Sequence, residues 1–147
     1  DPVVAETMKK GQLVESALVL RLVRERLAQP DVKERGFILD GFPRRPNEAA
    51  EFKRLIEQGL GLDAVILLDV PRDELLRRIL ARGRPDDTEA VFQDRMRIYE
   101  EQTLPSIETL KSQAPVLEAK LAPADQETNF AKVRALVESF LEKLRPR

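Results

Sequence analysis

Two kinds of hydrophobic pattern alternate along this chain. Short unbroken apolar runs end at an acid, first in Gly36-Phe37-Ile38-Leu39-Asp40 and more strongly in Ala64-Val65-Ile66-Leu67-Leu68-Asp69-Val70. Apolar runs of this length, without polar alternation, predict strands of a parallel sheet covered on both faces. Pro115 to Leu121 is a weaker third strand, placed at an edge. Between these runs the apolar residues recur at helical spacing. Ser16 to Gln29 carries Leu18, Leu22, Val23 and Leu27 on one stripe, and Pro30 stops it. Pro46 to Gln58 has proline in its first turn and ends at Gly59. Pro71 to Arg82 repeats the design, with Leu75, Leu76, Ile79 and Leu80 inward. Thr88 to Ser112 predicts one long helix kinked near Pro105, and Asn129 to Leu144 a last helix. Strands alternating with helices predict an α/β layered fold, a parallel sheet flanked by helices. No internal repeat or low-complexity tract interrupts the pattern.

Composition narrows the chemistry. The 147 residues suit one domain with a real core, and a net charge of −1 gives no global field favouring nucleic acid or a membrane. There is no Cys and no His. Thiolate chemistry, disulfides, the commonest general base and the commonest zinc ligand are therefore excluded. What remains is carboxylates, arginines, backbone groups and hard metal ions. Phosphoryl transfer fits that restriction, because it needs positioning and charge neutralisation more than proton relays. No apolar run is long enough to span a membrane and no signal peptide is visible, so a soluble, cytoplasmic protein is expected. The first residue is Asp1, not Met, which suggests a fragment, a processed chain or an incomplete sequence.

The sharpest motif is Asp40-Gly41-Phe42-Pro43-Arg44, directly after the first predicted strand. Ligands of open α/β sheets sit beyond the carboxyl ends of the strands. Gly41 lets the backbone approach a ligand, Arg44 can fork onto a phosphate, and Asp40 can hold a water of Mg²⁺. The plain alternative is a strand-end turn with a surface arginine. A second constellation is Arg78, Arg82, Arg84 and Arg95, with Asp86 and Asp87 between. Arg78 and Arg82, four apart, share a helix face. Converging arginines would neutralise charge spread over phosphate oxygens. Equally, they form a solvated basic face paired with Asp86, Asp87 and Asp94. Gly11-Gln12-Leu13-Val14 reads by itself as a turn.

Taken together, these segments resemble adenylate kinases, the nucleoside monophosphate kinases, of the bacterial short-lid type. The similarity rests on Met8 to Val14, the run Gly36 to Arg44, Asp69-Val70-Pro71, the lid-like Gly83-Arg84-Pro85-Asp86-Asp87 with Arg95, and Tyr99 to Pro105. The resemblance implies a P-loop kinase-like fold and Mg²⁺-dependent phosphoryl transfer from ATP to AMP. It implies one adenylate kinase-like domain over 1–147, with 3–29 the remainder of the segment that binds the monophosphate and 83–94 a short lid. Arg44 and Arg95 would grip the monophosphate, near Gly41, Phe42 and Pro43. Arg82 and Arg84 would bridge the phosphates, so Arg44, Arg82, Arg84 and Arg95 are the catalytic set. Arg78 would stack on the adenine of ATP. Gln12, Leu13 and Val14 would meet the acceptor base, and Asp40 would help place Mg²⁺. Gln126, expected in the loop after the third strand, would touch the ATP base through its carbonyl. By analogy the protein is a monomer without nucleic-acid or membrane partners.

Two departures qualify the likeness. Where the family reads the acceptor base with Gln, four residues past the signature arginine, this chain has Glu48, with Asn47 beside it. A carboxylate only accepts hydrogen bonds. Glu48 at the base therefore implies weakened or altered acceptor choice, with GMP, CMP or UMP as alternatives. The second departure is that no G-x-x-x-x-G-K-[ST] pattern occurs in the 147 residues. On the family's pattern, the phosphate loop and the first two strands are missing upstream of residue 3. The strands at 36–42 and 64–70 would then each expose an unpaired edge. A non-catalytic nucleotide-binding or interaction module is the remaining alternative.

Overall fold

The computed structural model describes residues 15–144, which divide into two compact units. One unit comprises residues up to 61 together with 93–110, and the other 62–92 together with the residues from 111.

The first unit is helical. It contains α1 (Ser16–Leu27), α2 (Pro30–Arg35) and α3 (Pro46–Glu57). The later part of α5 (Glu89–Ile98), a π-helical turn (Tyr99–Thr103) and α6 (Leu104–Leu110) complete it. Pro30 does end α1, as expected, and it also opens α2 from its first turn, where a missing N–H costs nothing. The core forms where α3 packs along α6. Ala49 and Ser106 are fully covered there, and Phe52 and Leu110 are 2 % exposed. Phe52 meets the Phe42 ring edge-on at 5.6 Å between centroids. The aromatic pair ties the motif loop to the core.

The long helix predicted over 88–112 is present as a run from Glu89 to Leu110, with its irregularity at Tyr99–Thr103. Pro105 is the cause. It has no N–H for the fourth carbonyl back, and its ring crowds that carbonyl. The preceding turn widens, and the Leu104 N–H bonds to the Tyr99 carbonyl, five residues back. The Ser106 hydroxyl donates back to the Gln102 carbonyl at 2.6 Å, one turn earlier.

The second unit holds β1 (Val65–Asp69), α4 (Arg72–Arg82), the start of α5, β2 (Val116–Lys120) and α7 (Gln126–Leu144). β1 and β2 pair in parallel, Val65 opposite Val116 through Asp69 opposite Lys120. Gly83 closes α4 in the left-handed region at φ 73°, a conformation that favours glycine. α7 starts at Gln126, three residues before the predicted start at Asn129. Asp125 explains the difference, because its carboxylate accepts the Thr128 N–H at 2.8 Å and hydroxyl at 2.7 Å. Gln126 is thus a first-turn helical residue, not a loop residue.

The strand expected over 36–40 is absent: residues 36–39 have no regular structure and Ile38 is 96 % exposed. Apolar composition makes a strand only when another strand takes its hydrogen bonds, and none of the described residues does so here. The same shortage corrects the expectation that β1 is covered on both faces. Ile66 and Leu68 are 44 % and 53 % exposed, and β1 has one hydrogen-bonded neighbour among the described residues.

The Phe42–Phe52 contact yields a direct test. Phe52→Ala should destabilise the first unit by about 3–5 kcal/mol, as for other buried aromatic truncations. Urea denaturation followed by a probe in that unit measures it, and a change below about 1 kcal/mol would rule out the assigned core.

Candidate active site

The motif loop of the first unit holds Arg44 at three points. Its backbone N–H donates to Glu48 Oε2 at 2.9 Å. Its carbonyl accepts the Thr103 hydroxyl at 3.1 Å. Its Nε donates to the Gly41 carbonyl at 2.7 Å. The π-helical turn carries Thr103, so Pro105 acts at a distance on the arginine. No carboxylate pairs with the Arg44 guanidinium among the described residues, and the side chain is exposed. Its two terminal nitrogens therefore face solvent with their donors available for an anion. Gly41 is necessary for this pose. It sits at φ 68°, and a Cβ there would collide with the Arg44 guanidinium. The Phe42–Pro43 peptide is cis. Asp40 is exposed beside Gly41. Arg95, partly buried on α5, belongs to the same unit.

Glu48, expected at the acceptor base, is 4 % exposed and engaged through both oxygens. Besides the Arg44 N–H, it accepts the Ser16 hydroxyl at 2.7 Å. Arg45 Nη1 lies 3.9 Å away and donates to Ser16 Oγ at 3.0 Å. Asn47 beside it is exposed. Gln12, Leu13 and Val14 lie outside the described residues.

The second unit carries Arg78, Arg82, Arg84 and Gln126. Glu74, 3 % exposed in the first turn of α4, takes two bonds from Arg77 at 2.7 Å and one from Arg78 Nε at 2.6 Å. Arg78 also reaches the Ala124 carbonyl at 3.4 Å, in the loop before α7. The hydrogen bonds from Arg77, then from Arg78, hold the Glu74 carboxyl down from 4.5 to about 2. Asp87, buried in the lid-like loop, binds Arg82 through both oxygens at 2.5 and 2.9 Å and accepts the Arg84 N–H at 2.9 Å. The Arg84 side chain is exposed, and no carboxylate pairs with it among the described residues. Of the region 83–94, residues 83–88 form this loop, and the rest lies in α5, with Thr88 capping its first turn.

Of the expected pairings with Asp86, Asp87 and Asp94, that of Arg82 with Asp87 is present. Arg78 pairs with Glu74 instead, and Asp94 binds Arg97. The aiming groups Glu74, Thr103 and Ser16 escaped the sequence reading. Only the four-residue spacing of Glu74 and Arg78 signalled one of them. Among the described residues, no cluster of three His, Cys, Asp or Glu forms a metal cage. Asp40, a lone exposed carboxylate beside the arginine loop, suits a Mg²⁺ that keeps its waters and takes most ligands from substrate phosphates.

Comparison with known proteins agrees with this architecture. The family model for adenylate kinase matches residues 2–115. The chain belongs to the adenylate kinase family. Adenylate kinase from Prochlorococcus marinus (strain NATL2A) is 44 % identical over 128 residues, covering 86 % of this chain and 68 % of that protein. The Mycolicibacterium paratuberculosis enzyme is 42 % identical over 110 residues, 74 % of this chain and 60 % of its own length. The Mycolicibacterium smegmatis enzyme is 46 % identical over 99 residues, 67 % of this chain and 54 % of its own length. Family membership brings the P-loop kinase fold class and makes the protein a phosphotransferase, of the nucleoside monophosphate kinase kind. Here two of that fold's parallel strands are paired.

The Glu74 clamp makes a pH prediction. A depressed carboxyl pKa contributes stability that is fully present above the unfolded value of 4.5 and is lost as the pH falls toward 2. Glu74→Gln should therefore remove part of the acid sensitivity of the second unit between those values. Carboxyl ¹³C titration of Glu74 should give a midpoint near 2, and one near 4.5 would mean the clamp does not form in solution.

Proposed function

We propose that the protein carrying this chain transfers the γ-phosphoryl group of Mg·ATP to AMP. The observation that carries this reading is Arg44. It stands on the signature motif of an adenylate kinase, with its guanidinium anchored at Nε to the Gly41 carbonyl and no carboxylate on its outer nitrogens among the described residues. An unpaired guanidinium in a preformed loop is a phosphate site awaiting its ligand.

In the reaction, an oxygen of the monophosphate attacks the γ-phosphorus in line while the bond to the β-phosphate bridging oxygen breaks, giving two nucleoside diphosphates. No covalent enzyme intermediate is needed. Arg44 and Arg95 orient the acceptor phosphate. Arg82 and Arg84 neutralise charge on the group in flight, with Arg82 exchanging its Asp87 partner for phosphate as the loop at 83–88 closes. Arg78, aimed by Glu74, lies against the adenine of ATP, with the first turn of α7 at Gln126 nearby. Mg²⁺, when bound, neutralises phosphate charge, and Asp40 would hold it through water.

AMP is favoured as acceptor because the case for GMP, CMP or UMP rests on Glu48 alone, and that carboxylate is already engaged with Ser16 and Arg44. We take the protein as a cytoplasmic monomer. No helix among the described residues is long and apolar enough to cross a membrane.

Two assays test the reading. The first uses the chain fused behind an adenylate kinase phosphate-loop segment and follows ADP formation with AMP, GMP, CMP and UMP. AMP should be preferred, and Arg44→Ala should lower kcat/KM roughly a hundredfold or more, the usual cost of removing a preorganised transition-state contact. Undiminished turnover by Arg44→Ala would sink the proposal. The second uses the 147 residues alone, which contain no phosphate-loop pattern. They should bind ATP weakly and produce no ADP above background, and robust turnover would contradict the assigned division of labour.

A further inference from the structure

We propose that Glu48 is a positioning residue for the phosphate-gripping loop and does not read the acceptor base, an inference that rests on the kinase reading above.

Glu48 occupies the third position of α3, where a carboxylate is favoured by the exposed N–H groups of the helix start. A buried carboxylate is tolerated only when its oxygens are paired. Here every pairing points at the loop or at α1. Oε2 accepts the Arg44 backbone N–H, and Oε1 accepts the Ser16 hydroxyl, which itself accepts from Arg45 Nη1. Turning the carboxylate toward a nucleobase would leave a partly buried N–H and a buried hydroxyl without their acceptor.

The network has a mechanical consequence. Arg44 is held by Glu48 at its N–H, by Thr103 at its carbonyl and by Gly41 at Nε. Of these anchors, only Glu48 also reaches α1, through its first residue, Ser16. One carboxylate therefore couples the start of α1 to the arginine assigned to the phosphate. Its contribution to binding should be the same whatever the base.

Ribose 5-phosphate, which has the phosphate and no base, separates positioning from reading. Its affinity and those of AMP, GMP, CMP and UMP are measured by calorimetry on the full chain and on Glu48→Ala, Glu48→Gln and Ser16→Ala. Exchange of the Arg44 amide is followed by NMR in each. Glu48→Ala should weaken all five ligands by a common factor of about ten and speed Arg44 amide exchange by at least as much, as expected for a lost charge-assisted bond and a misplaced guanidinium. Glu48→Gln keeps an acceptor for the Arg44 N–H and should restore most of both without re-ordering the bases. Ser16→Ala should give a smaller loss, again common to all ligands. The proposal is overturned if Glu48→Gln re-orders the bases while ribose 5-phosphate and the Arg44 amide are unaffected. It is overturned equally if Arg44 exchange is unchanged in Glu48→Ala. Should the unaltered chain bind none of the five ligands, the kinase reading fails instead, and the amide measurement still decides whether Glu48 holds the loop. Should Glu48→Ala not fold, Ser16→Ala and Glu48→Gln carry the same comparison.

Discussion

A carboxylate withdrawn from water must be paired, and this chain uses that constraint to aim its arginines. Glu48, Glu74 and Asp87 are all buried, and each is satisfied by an arginine side chain or by the backbone N–H of one. Without the pairing, each would carry a desolvation cost that the small cores of these units could not absorb. With it, the geometry of the basic groups is set before any ligand arrives. Preorganisation of this kind matters most in phosphoryl transfer, where the protein contributes position and charge and little covalent chemistry.

The pairings are of different kinds, and the difference follows from which atom is held. Glu48 binds the Arg44 backbone and leaves the guanidinium open. Glu74 binds Arg78 through Nε, so its outer nitrogens can still turn toward a neighbour, as the contact with the Ala124 carbonyl illustrates. Asp87 engages Arg82 through Nε and Nη2 together, so Arg82 must trade one anion for another to act on a phosphate. Arg44 keeps its outer nitrogens open, whereas Arg82 has one of its own committed to Asp87.

Local irregularities serve the same end. A proline in the middle of a long helix is a defect in isolation. Here it widens one turn and brings the Thr103 hydroxyl to the Arg44 carbonyl. Gly41 is a second case, since its left-handed backbone clears the space the guanidinium occupies.

The amino-acid sequence by itself indicated every helix but the short α2, the strands around 65–69 and 116–120, the interruption near Pro105 and the identity of the arginines. These features depend on local periodicity, on proline and glycine stereochemistry and on short motifs, all of which act over a few residues. It also brought the family into view through the run Gly36 to Arg44. What it left open depended on partners far away in the chain. Phe37, Ile38 and Leu39 have strand composition, yet form no strand, because pairing requires a second strand that composition does not supply. The place of Glu48 in the motif was visible in the sequence, while its hydrogen bond with Ser16, 32 positions away, was not. Burial and hydrogen-bond partnership between distant residues are properties of the folded chain, and they decided which carboxylates hold the loops and which arginines remain open to a phosphate.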